Sequence, residues 1–345
     1  TIVRTGTLTT DSTRDWTVKV DVTSLFQDTA YYYRFSALGE TSFIARTRTA
    51  PAPTTVTTRL RFAVVSCASF PHGFFNAYRR VAERQDLQAV IHLGDYIYEY
   101  GNGPGEYGAD VQAGGRVYDP PYEMVTLSDY RRRHAMYKQD EDLMAMHQQH
   151  PLIHVWDDHE FTDNTYRDGA KNHNPTNQYD PDDPSKTEGA WVPRSLAALQ
   201  AYFEWMPTRD PLPVDPPERI YRRFQFGDLV DLIMLDTRFT GRDEEIEPNG
   251  APVPGAGFTT FTHSGDFVDP NLRLIGDDQL TFLTDALQNS TAQWKLLGQQ
   301  IMFGQLKFQG APNALGTSQF LNPDQWDGYP AERQRVYDII RGGAA

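Results

Sequence analysis

The sequence predicts an α/β protein, a layered domain of buried strands and helices preceded by a short all-β segment. Three observations predict it. Residues 1–50 carry period-two patterns and no helical spacing. Ala50–Thr57, "APAPTTVT", reads as an extended Pro/Thr linker. Beyond it, nearly all-apolar strands alternate with helically spaced segments. The 345 residues suit two domains at about 150 residues each. We divide the chain at 51–58, with residues 1–50 as the C-terminal part of an Ig/fibronectin-like β-sandwich and 59–345 as the main domain.

The elements follow in order. Trp16, Val18, Val20 and Val22 alternate with polar residues and predict a strand. Tyr31–Leu38 and Phe43–Thr49 are rich in aromatic residues and Thr, and Leu38-Gly39-Glu40 predicts the hairpin turn between them. Three strands fall short of the roughly seven a sandwich needs, so the beginning of that domain looks missing. Leu60–Ser66, Leu87–Leu93 and Leu152–Trp156 read as buried strands. Phe75–Arg84 reads as a helix, and Leu127–Gln149 as another, capped by Ser128. Gly101–Pro121 and Asn249–Gly257 are loops. Asp157–Gly189 is long, polar and aperiodic, a length typical of functional loops. Helices are expected over 193–205, 278–287 and 331–341, with strands over 221–226, 229–235 and 294–299 and a turn at Gly227-Asp228.

Composition narrows the function. The charge sum, 32 − 46 = −14, argues against a general nucleic-acid binder, although a bound metal can dominate its own surroundings. No 18-residue apolar run exists to span a membrane. One cysteine excludes an intrachain disulfide. Few Lys among many Asp, Thr, Tyr and Pro suggests an exported protein: secreted, periplasmic or extracellular.

Five strands end on polar, ligand-grade residues: Ser66-Cys67, Gly94-Asp95 with Tyr98, Asp157-Asp158-His159-Glu160, Asp236-Thr237-Arg238, and Gln299-Gln300. Carboxyl ends of strands are where open α/β sheets place ligands. So many acids at one site conflict unless cations are present. Each has a plainer reading. Taken alone, Cys67 reads first as a small buried hydrophobe, Asp95 as a turn residue and Tyr98 as a core aromatic. Asp157–His159 reads as a helix cap. His92 and His154 read best as packed core histidines. Asp236 and Arg238 read as an ion pair with each other. Together, however, the set predicts a metal cluster.

"SCAS" at 66–69, "HLGDYIYEY" at 92–100 and "WDDHEFTDN" at 156–164 resemble the metallophosphoesterase signature in its PhoD-type alkaline phosphatase/phosphodiesterase form. "RRFQFGDLVDLIMLDTR" at 222–238 and "WKLLGQQIMFG" at 294–304 extend the likeness over nearly the whole chain. The resemblance implies a layered, helix-flanked β-sheet sandwich that hydrolyses phosphate esters by metal-bound hydroxide, with Fe³⁺ and Ca²⁺, or Zn²⁺ or Mn²⁺. It implies Cys67 and Tyr98 as iron ligands, Asp95 as the bridging and catalytic carboxylate, and Asp158 or Asn164 near the second metal. His159 would face the leaving group, Asp327 would be a further ligand, and Arg238 would bind a phosphate oxygen. Substrates would be small or polymeric phosphate esters, with a phospholipase-D-like diesterase as a variant. The family's late G-D-x-H motif has no counterpart here, so the end of the catalytic domain also looks missing. The rival is a non-catalytic extracellular protein that binds phosphate polymers. Oligomeric state is not readable.

Overall fold

The computed structural model describes residues 1–175, 188–211, 219–250, 252, 259–308 and 319–342. The first fifty residues hold strands β1 (Ala30–Tyr33), β2 (Ser36–Ala37), β3 (Glu40–Thr41) and β4 (Ala45–Arg48). β1 pairs antiparallel with β4, and β2 with β3, so the two ladders are nested. Leu38 and Gly39 close the turn at φ 51° and 85°, the geometry a two-residue hairpin demands. The strand expected at Trp16–Val22 does not form. The alternation is real, but Asp15 and Lys19 face the main domain while Trp16, Val18 and Val20 face outward. Polar anchors decide that orientation: Asp15 accepts from the Trp205 indole at 3.0 Å, and Lys19 pairs with Asp210 at 2.9 Å.

The main domain is a mixed α/β fold. Its elements are β5 (Phe62–Val65), α1 (Asn76–Ala82), β6 (Ala89–His92), α2 (Leu127–Lys138), α3 (Glu141–Gln149), β7 (Leu152–His154), β8 (Thr165–Tyr166), β9 (Gly169–Ala170) and α4 (Trp191–Trp205). There follow β10 (Arg222–Phe226), β11 (Val230–Met234), α5 (Gly276–Gln288), β12 (Trp294–Gly298), β13 (Lys307–Phe308), β14 (Gln319–Phe320) and α6 (Pro330–Ile340). The single helix expected over 127–149 is two. Asp140 takes an extended conformation and caps α3, accepting from the Asp142 and Leu143 amides at 3.0 Å each. Thr126, not Ser128, caps α2, in a reciprocal pair with Asp129.

Two three-stranded sheets organise the domain. In the first, β6 lies between β5 and β7, all parallel. In the second, β11 pairs antiparallel with β10 and parallel with β12. β11 is buried throughout and its side chains alternate. Val230, Leu232 and Met234 join Val90, Ile91, Leu152 and Ile153 of the first sheet in one core. Ile233 and Leu235 join Leu280, Leu283, Val336 and Ile339 of α5 and α6 in another. Each such side chain contributes about 1.5–3 kcal/mol through burial. The Phe62 and Phe226 rings, 5.0 Å apart and edge-on, tie the two sheets together. His92 and His154 are core histidines as expected, bonded to Tyr78 and Tyr202. The long loop after Asp157 folds partly into the β8–β9 hairpin. Residues 176–187 of that loop, and most of 249–257, lie outside the described residues.

Candidate metal centre

Because β5, β6 and β7 are parallel, their carboxyl ends open on one edge. The turns there touch. The Cys67 amide donates to the Gly94 carbonyl at 3.2 Å, and the Ala68 amide to the Asp95 carbonyl at 2.8 Å. A Cβ at Gly94 would lie 2.3 Å from the Asp157 nitrogen, so only glycine lets the β6 and β7 turns approach. Cys67, Asp95 and Asn164 hold φ of 59°, 55° and 53°. For a residue with a Cβ that region costs about 1 kcal/mol or more, and the surrounding structure must impose it.

Those turns bring Asp95, Asp158 and His159 together, one ligand atom of each within 4.8 Å of the others. Asp95 is buried. Its Oδ2 accepts from the Tyr98 hydroxyl at 2.9 Å, and its Oδ1 has no partner. Burial, then the neighbouring Asp157, pushes the Asp95 carboxyl far above the usual range. Burial and Asp95 raise the Cys67 thiol to about 11, although the residue as a whole is exposed and no core hydrophobe. Burial and Asp95 also raise the Tyr98 phenol. All three are oxygen or sulfur donors that burial and neighbouring acids push towards the protonated form. A bare buried carboxylate oxygen beside such donors fits a multivalent cation.

His159 stacks on Tyr98 with ring centres 4.3 Å apart. Its Nδ1 donates to Glu99 at 2.7 Å, which leaves Nε2 for the cluster. Burial opposes its charge, but Glu99 and Asp158 hold its pKa well above the ordinary value. Glu99 is fully buried and also accepts from the Asp163 amide at 2.7 Å. Asn164 donates its amide to Asp158 at 2.8 Å and so lies beside the cluster. No helix follows Asp157–His159, so these residues are not a helix cap. Glu160 staples the turns instead, accepting from the Asp95 amide at 3.1 Å and the Asp157 amide at 2.8 Å.

The other predicted residues are placed differently. Asp236 and Arg238 do not pair through their side chains. Asp236 accepts from the Trp156 indole at 3.0 Å and from the amides of Arg238, Phe239 and Thr240. The buried Arg238 guanidinium binds Asp157 and Asp324 and lies 3.6 Å from Asp158. It balances the charge of the carboxylates instead of standing free for phosphate. Asp327 is not brought into the cluster: its carboxylate accepts from Arg333 and from the Leu306 amide at 2.8 Å.

The profile of the PhoD-like phosphatase family matches residues 62–344, which include every one of these groups. The chain belongs to the PhoD-like phosphatase family. The profile of the PhoD-like phosphatase N-terminal domain matches residues 1–51. The chain is 38% identical to alkaline phosphatase D of Bacillus subtilis (strain 168) over 342 residues, which are 99% of this chain and 53% of that protein. It resembles a solved structure described as "Structure of PhoD", with TM-score 0.74 and 36% identity, over 91% of this chain and 54% of that one. The chain thus spans about half the length of the relatives it matches.

Sequence reasoning gave no role to four residues around this site. Glu99 and Glu160 stand inside the motif strings, and their acidity next to Asp95 and Asp158 was the available signal. Asp324 and Arg242 carried none, since only the folded chain brings Asp324 to both Arg238 and Arg242. Among the described residues, no helix is long and apolar enough to cross a membrane.

Proposed function

We propose that this chain carries the catalytic centre of a metal-dependent phosphoric ester hydrolase of the alkaline phosphatase D type, acting on phosphomonoesters, phosphodiesters or both. One observation carries the reading: Asp95, Asp158 and His159 converge at the sheet edge around an unpartnered Asp95 oxygen. In this reading Cys67, Tyr98 and Asp95 hold Fe³⁺, and Asp158 and Asn164 hold Ca²⁺, with Zn²⁺ or Mn²⁺ as substitutes. When bound, such ions supply positive charge for the phosphoryl oxygens and acidify water. The chain's own groups do the rest. His159 offers a proton at Nε2 to the leaving alkoxide, and Glu99 keeps its ring turned that way. Glu160 holds the Asp95 and Asp157 turns in register. Residues 1–50 then form part of a β-sandwich, 51–58 a linker and 59–345 the catalytic layers of a secreted, periplasmic or extracellular protein.

The test is metal content by mass spectrometry, followed by turnover of p-nitrophenyl phosphate, bis(p-nitrophenyl) phosphate and a phospholipid. About one iron per chain with calcium is expected, with turnover of at least one ester. Asp95→Asn should lower that turnover more than about a hundredfold. Near-normal turnover by Asp95→Asn would refute the assignment. Stoichiometric metal with no turnover would favour the phosphate-polymer binder.

A further inference from the structure

The loop after β6 extends the aromatic side chains of the site with Tyr107, which the hydrolytic chemistry does not use. Tyr107 stands 47% exposed at its tip. Its ring lies 5.8 Å from Tyr98 and nearly parallel to it, 5.4 Å from Tyr100 and 4.5 Å from His72. Tyr98 in turn stacks on His159 and bonds Asp95, while His72 bonds the Ser69 hydroxyl at 2.7 Å. An aromatic rim therefore runs unbroken from His159 to the turn that carries Cys67.

The loop is strapped down. Asn102 and Tyr118 exchange two bonds of 2.8 Å, and the Ala113 amide donates to the Pro71 carbonyl at 2.9 Å. Arg116 donates to the Phe70 carbonyl at 2.9 Å. Buried Arg133 holds the carbonyls of Tyr98, Tyr100 and Pro120. An exposed aromatic normally costs solubility, and here the loop fixes one beside the reacting centre.

We propose that Tyr107, backed by His72 and Tyr100, is a stacking shelf for a planar ring in the alcohol portion of the substrate ester. A ring seated there gains face-on contact without a charged partner, which suits an aryl or nucleobase group and disfavours a saturated one. The inference rests on the hydrolase reading.

The test compares benzyl phosphate with cyclohexylmethyl phosphate on the metal-loaded chain. The two differ in ring planarity and share an alkyl oxygen as leaving group. Wild type should prefer the benzyl ester. Tyr107→Leu should lower the benzyl-to-cyclohexylmethyl ratio of kcat/KM about 5- to 30-fold through KM, and Tyr107→Phe should keep that ratio. A ratio that Tyr107→Leu leaves unchanged overturns the shelf alone. Turnover of p-nitrophenyl phosphate but of neither ring ester also overturns the shelf alone, and turnover of none of the three overturns the hydrolase reading with it.

Discussion

The two central sheets end in chemically different ways. The β5–β6–β7 edge presents loosely held groups: the Asp95 Oδ1 without a partner, the Cys67 thiol outside any disulfide, and the His159 Nε2, 4.0 Å from Asp163. The β11–β12 edge presents groups that are all spoken for. Asp236 closes a turn, Gln300 binds the Trp156 carbonyl at 2.6 Å and Thr237 at 2.7 Å, and Arg238 holds three carboxylates. In the proposed hydrolase one edge would do the chemistry and the other would brace it. Substitutions at the first should cost activity, and substitutions at the second should cost stability.

Arg238→Met should give the largest effect on folding. It leaves Asp157 and Asp324 buried without their cation, a loss of about 3–5 kcal/mol. Asp95→Asn should instead leave the metal-free protein as stable as wild type or more so, because it removes one of several crowded buried acids. Urea denaturation of both variants without metal checks the contrast. Equal losses would mean that the two edges do not divide the work.

Asp327→Asn should come next. It weakens the buried contact with Arg333, for a loss of about 1–3 kcal/mol, and should leave the metal stoichiometry unaltered. A fall in bound metal at unchanged stability would return Asp327 to the ligand set.

This division was only half legible in the sequence. Both sheets end on Asp, Arg or Gln after apolar runs, and a one-dimensional reading weights the five strand ends alike. The strands themselves were readable because burial on both faces leaves β6 and β11 nearly continuous in apolar residues. Cys67, Asp95, Tyr98, Asp158 and His159 were readable because they lie within six residues of the ends of β5, β6 and β7, and Asn164, ten residues past β7, only through the resemblance. What decides whether a carboxylate is free is its partner, and Arg238 finds Asp324 eighty-six residues away. Likewise, the alternation at Trp16–Val22 reports an extended chain but not which face meets a neighbour. The break at Asp140 was missed because its cap lies inside a continuous helical pattern, where a single Asp looks like a surface residue.

The braces behind the two edges differ as well, and pH should separate them. Behind β11 they are ion pairs. Behind the Asp95 turn, beyond the Glu160 staple, they are aromatic rings and one amine. Lys138 bonds the Tyr96 hydroxyl at 2.7 Å and His147 at 3.2 Å, and no salt bridge to it is found among the described residues. Burial alone lowers its pKa from 10.5 to about 7. Between those values the unfolded chain binds a proton that the folded chain has given up. Stability from this group therefore rises with pH from about 7 to about 10.5, and below 7 both states are protonated and the penalty is constant. Lys138→Met removes that dependence. Denaturation of metal-free wild type and Lys138→Met at pH 7 and pH 9 should show wild type gaining on the variant as pH rises. Parallel behaviour would mean that the ammonium stays charged beside Tyr96, and that charge braces the Asp95 turn much as it braces β11.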